Sequence, residues 1–398
     1  MNQSDSSAPV PESDSEAGTL SPANLRDRIE RRDTVTILDV RISGDYETWH
    51  IEDEAVETTN VPYYAFLEDE DAAIERVPAG DPIVVVCAEG DASKYVAGLV
   101  VDTGRNAISL EDGMEGWAGI YDATEITSYD GPGTVIQYHR PSTGCLSYLV
   151  ASEGEAAVID PLRAFTDRYL DDATELGADL EYAIDTHCHA DHVSGVGSLT
   201  EQDVWGLVPA ATIERGMEMK AAFSPIEDGE TVDVGAVTIE ARHTPGHTSG
   251  MTSYLVDDQV LLTGDSLFVG SVARPDLEAG DEGAGKAATQ LYESLQERIL
   301  SLDEDVIVAG GHRAERETPG EDNTYTARLG TLVEEMAVLS MDQADFVEYI
   351  LSNMPPRPAN YETIIDANLG HREIDDEEAF RIELGPNNCA ASQGATIG

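Results

Sequence analysis

Apolar positions along the 398-residue chain fall into two successive patterns. In the first, short apolar runs alternate with amphipathic stretches. Val35-Thr-Ile-Leu-Asp-Val40 reads as a strand, and Ile83-Val-Val-Val86 is the continuous apolar run of a central parallel strand buried on both faces. Ser21-Pro22 is a helix start, a cap followed by proline at the first helical position, and Leu25 and Ile29 then form an i, i+4 apolar pair. A helix is predicted from Tyr64 to Arg76. This alternation predicts a small α/β unit of roughly one hundred residues, ending near Tyr121. The turn-rich Asp130-Gly-Pro-Gly133 marks a domain boundary.

The second pattern is richer in strands. Runs at Thr134 to Tyr138, Cys145 to Val150, Ala156 to Ile159, Val237 to Glu240, Ser253 to Val256 and Val260 to Thr263 read as strands. Helices are predicted near Phe165 to Leu176, Ala287 to Leu302 and Tyr325 to Ser340, the second carrying Leu291, Leu295 and Ile299 as a buried stripe. A sheet core with outer helices fits this order. From about Asp342 the chain reads as an extended arm or short helical extension with Met354-Pro-Pro-Arg-Pro358, then a disordered tail.

Charge adds the environment. There are 78 acidic against 23 basic residues, a net charge of −55 spread along the whole chain. Such a surface repels phosphate backbones and anionic membranes, which argues against nucleic-acid and membrane partners. It suits a salt-rich cytoplasm, where self-repulsion is screened within a few ångströms and dense carboxylates hold water. No run reaches the roughly 18 to 20 apolar residues of a membrane span. The first 19 residues lack the basic and apolar regions of a signal peptide and read as a disordered acidic tail. Cys87, Cys145, Cys188 and Cys389 form no CxxC pair and no disulfide framework, which fits a reducing compartment.

The candidate chemistry sits in four short segments, each after a strand-like run. Thr186-His187-Cys188-His189-Ala190-Asp191-His192 follows Tyr182-Ala-Ile-Asp185. His243-Thr-Pro-Gly-His247 presents His247 from a Pro-Gly turn, Leu261-Leu-Thr-Gly-Asp265 ends a strand on Asp265, and Val306-Ile-Val-Ala-Gly-Gly-His312 repeats the device with His312. Imidazole and carboxylate suit Zn, Fe or Mn, and glycine beside the ligand lets backbone approach closely. Any one of these side chains alone reads as an ordinary packed residue; His187, His189, Asp191, His192, His247, Asp265 and His312 together read as a metal site. His243 reads as an orienting neighbour of His247, Cys188 as a packed residue, and His50, His139 and His371 as non-ligands.

The HxHxDH, HTPGHT, strand-GD and late GGH elements together resemble the signature of the metallo-β-lactamase superfamily over roughly residues 133 to 350. The resemblance implies an αββα sandwich, placed at 131–350, with the site at the sheet edges. Asp160-Pro161, Val193-Ser-Gly195, Gly270-Ser-Val-Ala-Arg274-Pro-Asp-Leu277 and Met354 through Gly370 resemble the persulfide dioxygenase branch, with Ala273 where that branch has glycine. That branch implies one Fe(II) per chain on His187, His247 and Asp265, with His189, Asp191, His192 and His312 around it or on a second metal. It implies a low-molecular-weight thiol persulfide and O2 as substrates, sulfite and thiol as products, and Arg274 as a grip on a substrate carboxylate. The same residues can instead hold two Zn(II) per chain in a thioester hydrolase of glyoxalase II type. Residues 351–398 are assigned to a C-terminal extension and tail, and homo-oligomerisation stays open.

Upstream, Leu38-Asp-Val-Arg41, Asp45-Tyr-Glu47, Cys87-Ala-Glu-Gly-Asp-Ala-Ser93 and Leu110-Glu-Asp-Gly-Met-Glu-Gly-Trp117 resemble a rhodanese domain, placed at 20–123. The resemblance implies Cys87 as a sulfur-carrying catalytic thiol, cradled by backbone N–H groups at a helix start. Ala88 and Ala92 stand where that family has arginine, with acidic Glu89 and Asp91 nearby, so an anionic donor such as thiosulfate fits poorly. A buried, inert Cys87 in a docking module is the other reading. The predicted fold class is α/β throughout: a rhodanese-like α/β domain followed by the αββα sandwich.

Overall fold

A computed structural model describes residues 17–218, 223–313, 319–320 and 322–391. Most of the acidic N-terminal tail and the last seven residues, both expected to be disordered, lie outside the described residues. The chain divides into two compact units, Met1–Ile120 and Tyr121–Gly398.

The first unit is a five-stranded parallel sheet in the spatial order Gly18–Leu20, Ala107–Leu110, Ile83–Val86, Val35–Asp39, Val56–Asn60. Ile83–Val86 is the central strand and is apolar on both faces because both are covered. Val84 and Val86 pack with Ile37, Leu25, Ile29 and Trp117. Ile83 and Val85 pack on the other side with Leu38, Phe66, Val96 and Val100. The Ser21 hydroxyl accepts the Asn24 N–H at 3.2 Å and caps Pro22–Glu30 as the sequence predicts. The helix expected over Tyr64 to Arg76 is two helices, Tyr63–Glu68 and Glu70–Ile74. Asp69 leaves helical geometry between them, and its side chain caps the second by accepting the Ala72 N–H.

The second unit stacks a seven-stranded sheet on a six-stranded one. The first runs Phe223–Ile226, Trp205–Pro209, Asp179–Ile184, Glu155–Ile159, Leu146–Ser152, Thr134–His139, Asp122–Glu125. The second runs Thr231–Val234, Val237–His243, Thr252–Val256, Val260–Gly264, Ile307–Gly310, Thr326–Arg328. Tyr148, Val150, Ile159 and Ile184 meet Ile239, Tyr254, Val256, Leu262 and Ala309 in the layer between them. Helix Thr166–Glu175 covers the outer face of the first sheet and helix Gly280–Ser294 that of the second. This is the expected αββα sandwich. Leu291, Leu295 and Ile299 form the buried stripe, although the last turn, Leu295–Ile299, winds as a π-helix.

Three expectations shift. The Asp130–Gly133 turn joins two paired strands of the second unit, because Asp122–Glu125 already pairs with Thr134–His139. The Tyr325–Ser340 stretch begins as an edge strand, Thr326–Arg328, and continues as helix Leu329–Glu335 and a 3-10 turn, Ala337–Ser340. The extension after Asp342 is structured: helices Gln343–Ser352, Tyr361–Asn368 and Asp376–Ile382 lead to a strand, Ala390–Ala391, that pairs with Ser271–Ala273. Among the described residues no helix is long and apolar enough to cross a membrane.

Leu291 is fully buried, and the Cβ of any residue replacing Gly246 would fall within 2.5 Å of its side chain. Replacing Leu291 by Ala should therefore destabilise the second unit by ~2–5 kcal/mol, read as a lower denaturant midpoint.

Candidate metal centre

Each predicted segment leaves its strand at the same end of the sandwich. Asp179–Ile184 feeds the His187 loop, Val237–His243 leads to His247, Val260–Gly264 ends at Asp265 and Ile307–Gly310 precedes His312. Gly264 sits at φ +47°, and a Cβ there would lie 2.5 Å from the Thr186 hydroxyl, so only glycine brings the strand carrying Asp265 this close to the strand carrying His187.

Hydrogen bonds fix which atom each ring offers. The Thr186 hydroxyl donates to Asp160 Oδ2 at 2.9 Å and so accepts from His187 Nδ1 at 2.8 Å, leaving His187 Nε2 as a bare lone pair. His247 Nδ1 donates to the Arg274 carbonyl at 2.9 Å, leaving its Nε2 bare. Asp265 accepts from His312 Nδ1 on Oδ1 at 2.8 Å, leaving Oδ2 unused. These three unpartnered atoms face one another: Asp265 Oδ2 is 3.8 Å from His187 Nε2 and 3.5 Å from His247 Nε2. All three side chains are buried, and their ligand atoms lie within 4.8 Å of one another.

Protonation follows the same arrangement. Burial, then the neighbouring His189, holds His187 well below the ordinary imidazole pKa; burial likewise lowers His247. Burial pushes the Asp265 carboxyl up, but His312, His247 and His187 more than offset it and hold it below the carboxylate range. Two neutral imidazoles and one carboxylate are the donor states a divalent cation needs. Buried polar atoms without partners are costly. A cation among these three atoms would remove that cost, so the residues fit a metal ion.

The remaining predicted residues form a second group. His312 Nε2 meets Asp191 Oδ2 at 2.7 Å, so its ring bridges two carboxylates. Burial lowers its pKa, but Asp265 and Asp191 raise it well above the ordinary value, so the ring keeps a proton on each nitrogen. His192 Nδ1 lies 3.2 Å from Asp191 Oδ2, and Cys145, which the sequence did not single out, brings its Sγ to the same oxygen at 3.2 Å. Cys145, Asp191, His192 and His312 also lie within metal-ligand reach of one another, with Asp191 Oδ1 and His192 Nε2 unpartnered. His189 Nε2 turns to Asp160 Oδ1 at 3.1 Å and its Nδ1 is unpartnered. Asp160 thus orients both His187, through Thr186, and His189. Its only signal in the sequence was the Asp-Pro dipeptide after a strand.

Two expectations change. Arg274 does not offer a free fork to a substrate. It is buried, pairs with Asp276 at 2.7 and 3.1 Å, and donates to the Pro356 and Asn388 carbonyls. Its contribution to the site is the carbonyl that orients His247. His243 holds Ser249 O at 2.9 Å at the far end of the His247 loop rather than His247 itself. Cys188 packs with Ala190, Leu277, Ile365 and Leu369, as expected of a packed residue. Cys389, from the C-terminal segment, lies within ligand reach of Asp265 and His312. In the first unit, Cys87 is buried at the end of Ile83–Val86, before helix Asp91–Asp102. Its Sγ accepts the Gly90 N–H at 3.0 Å and lies 3.3 Å from the Ser93 hydroxyl.

Comparison with known proteins agrees with this geometry. Residues 140–312 match the metallo-β-lactamase superfamily, and residues 21–120 match the rhodanese-like domain. The mitochondrial persulfide dioxygenase ETHE1 of Bos taurus is 30% identical over 251 residues, covering 61% of this chain and 90% of that protein. The crystal structure of ETHE1 from Myxococcus xanthus superposes with a TM-score of 0.51 at 27% identity, covering 59% of this chain and 97% of the other. The hydroxyacylglutathione hydrolase GloC of Haemophilus influenzae is 29% identical over 178 residues, covering 40% of this chain and 81% of that protein. The chain belongs to the metallo-β-lactamase superfamily, in its persulfide dioxygenase-like branch, and carries an N-terminal rhodanese-like domain.

The protonated imidazoles give a pH test on metal-free protein. Burial and His189 lower His192, but Asp191 dominates and the pKa ends raised from 6.5 to about 9; His189 and His312 are also raised. A raised folded pKa stabilises fully below the unfolded value and is lost as pH rises through the folded one. His187 and His247, being lowered, are neutral in the folded state, and their unfolded forms lose their protons by about pH 7.5, so the fall is cleanest above that pH. Denaturant midpoints of chelated protein should therefore fall from pH 6.5 towards 9, by up to ~1.4 kcal/mol per unit for each proton retained. A flat or rising profile would contradict the assignment.

Proposed function

We propose that the protein is a metal-dependent persulfide dioxygenase, oxidising a low-molecular-weight thiol persulfide with O2, both oxygen atoms going to the outer sulfur and one water releasing sulfite and the thiol. The observation that carries this reading is the group of three unpartnered ligand atoms on His187, His247 and Asp265. Two imidazoles and one carboxylate form the face that suits Fe(II) with positions left for other ligands. Iron held there would supply the redox chemistry toward O2.

The chain's own residues prepare the site. Thr186 and Asp160 hold the His187 tautomer, and the Arg274 carbonyl holds that of His247. His312 keeps its Nδ1 proton on Asp265 Oδ1, so the carboxylate presents a single oxygen to His187 and His247, and its Nε2 proton on Asp191. Full burial of all three proposed ligands limits water around a reactive centre. The relative from Bos taurus supports the substrate class.

Cys87 is proposed to carry sulfane sulfur. The Gly90 N–H would stabilise a thiolate or persulfide anion there. Exposed Glu89 and Asp91 in the same loop disfavour an anionic donor. The net charge of −55 and four buried, unpaired cysteines support a reducing, salt-rich cytoplasm as the working environment.

A second reading is a dinuclear zinc thioester hydrolase. It is favoured by the unpartnered Asp191 Oδ1 and His192 Nε2 beside His312, a ready second ligand set, and by the hydroxyacylglutathione hydrolase relative.

Metal analysis of anaerobically purified protein in high salt separates the two readings. About one iron per chain, with O2 uptake and sulfite formation on adding a thiol persulfide, is expected. Two zinc per chain with thioester hydrolysis and no O2 uptake would replace the dioxygenase with the hydrolase. The Cys87→Ser variant should keep O2 uptake on a free thiol persulfide and lose sulfur transfer to an acceptor thiol. Unchanged transfer would remove Cys87 from the scheme.

A further inference from the structure

The loop from His187 to Ser194 carries four of the seven predicted metal-site residues, and its main chain must find hydrogen-bond partners after strand Asp179–Ile184 ends. Two side chains from the far C-terminal segment supply them. Asn368, the last residue of helix Tyr361–Asn368, donates from Nδ2 to the His189 carbonyl at 3.0 Å and to the His192 carbonyl at 2.9 Å. Its Oδ1 accepts the Ser194 N–H at 2.9 Å. Two carbonyls and one N–H fix the amide orientation, and both ends of the side chain are spent on one loop. Glu383 completes the hold. Its Oε1 accepts the Val193 N–H at 2.8 Å, and its Oε2 takes Arg140 Nη1 at 2.6 Å, with both side chains fully buried.

We infer that Asn368 is a positioning residue of the metal centre: it fixes the main chain of residues 189 to 194, which follows His187 and carries Asp191 and His192, so that these three side chains keep their places in the two ligand groups. The pinned carbonyls belong to His189 and His192 themselves, so releasing them frees the backbone from which those rings project. The inference rests on the reading that this loop holds a metal, and on no particular reaction. Loss of such an outer partner weakens metal binding by ~10–100-fold.

The test uses the full chain, with Zn(II) affinity read by competition against a chromophoric chelator and site geometry by the visible spectrum of Co(II)-loaded protein. Asn368→Ala is expected to bind Zn(II) ~10–100-fold more weakly and to shift the Co(II) bands, at unchanged far-UV circular dichroism. Asn368→Asp keeps the acceptor for Ser194 but turns a carboxylate oxygen on two carbonyls, so it should lose at least as much. Being the same size, it decides the question if Asn368→Ala does not fold. Thr363→Ala removes an exposed bond from Arg372 to the same helix and should leave Zn(II) affinity unchanged, which separates positioning from general loosening of the segment. Parent-like affinity and spectrum in both Asn368 variants would overturn the inference. A parent chain that binds neither Zn(II) nor Fe(II) overturns the metal reading and this inference with it. A parent that holds metal but consumes no O2 overturns only the dioxygenase.

Discussion

The site depends on how the two oxygens of one buried carboxylate are divided. Asp265 gives Oδ1 to His312 and leaves Oδ2 facing two imidazole nitrogens that have no other partner. Burying such atoms without compensation costs free energy, and among the described residues no hydrogen-bond partner offsets it. The second unit therefore folds around a deficit that a cation would remove, which couples proposed metal binding to the stability of the sandwich. His312 is the hinge of this division, because its ring ties Asp265 to Asp191 and so joins the two ligand clusters into one network.

The sandwich makes the division possible by ending its strands together. Each proposed ligand follows a strand, and the sheets carry their apolar side chains in the layer between and on the two outer faces. The sheet edge alone does not finish the site. The segment after Asp342 returns to it, pairing Ala390–Ala391 against Ser271–Ala273 and setting Arg274 between Asp276, Pro356 and Asn388. Arg274 is better described as a clasp on this segment than as a substrate grip, and its carbonyl makes the orientation of His247 depend on the clasp.

The two units have chemically related equipment. Cys87 Sγ, at the end of a parallel strand, accepts the Gly90 N–H, an arrangement that the proposed sulfane-sulfur role would use. The acidic loop beside Cys87 points away from anionic donors such as thiosulfate. The same excess of carboxylates runs through the whole chain, so the loop shares a chain-wide property and its chemistry is shaped by it.

Much of this was legible in the sequence because it is local. Fully apolar runs such as Ile83–Val86 announced strands covered on both faces. Glycine before Asp265 and His312, and Pro-Gly before His247, announced loops bringing ligands close. Boundaries were less legible where short-range patterns compete: Asp69 caps a second helix inside an apparently continuous one, and Thr326–Arg328 is drawn into a sheet edge ahead of its helix. What the sequence by itself determined was the kind of ligand and the strand-end placement of each, since residue type and period-two patterning act over a few residues. Only the tertiary structure decided which ligand atoms stay bare, that Arg274 is closed on Asp276, and that Asn368, Glu383, Cys145 and Cys389 border the site. Those outcomes depend on hydrogen bonds and packing between distant segments, 243 positions apart for Arg140 and Glu383, which leave no periodic trace along the chain.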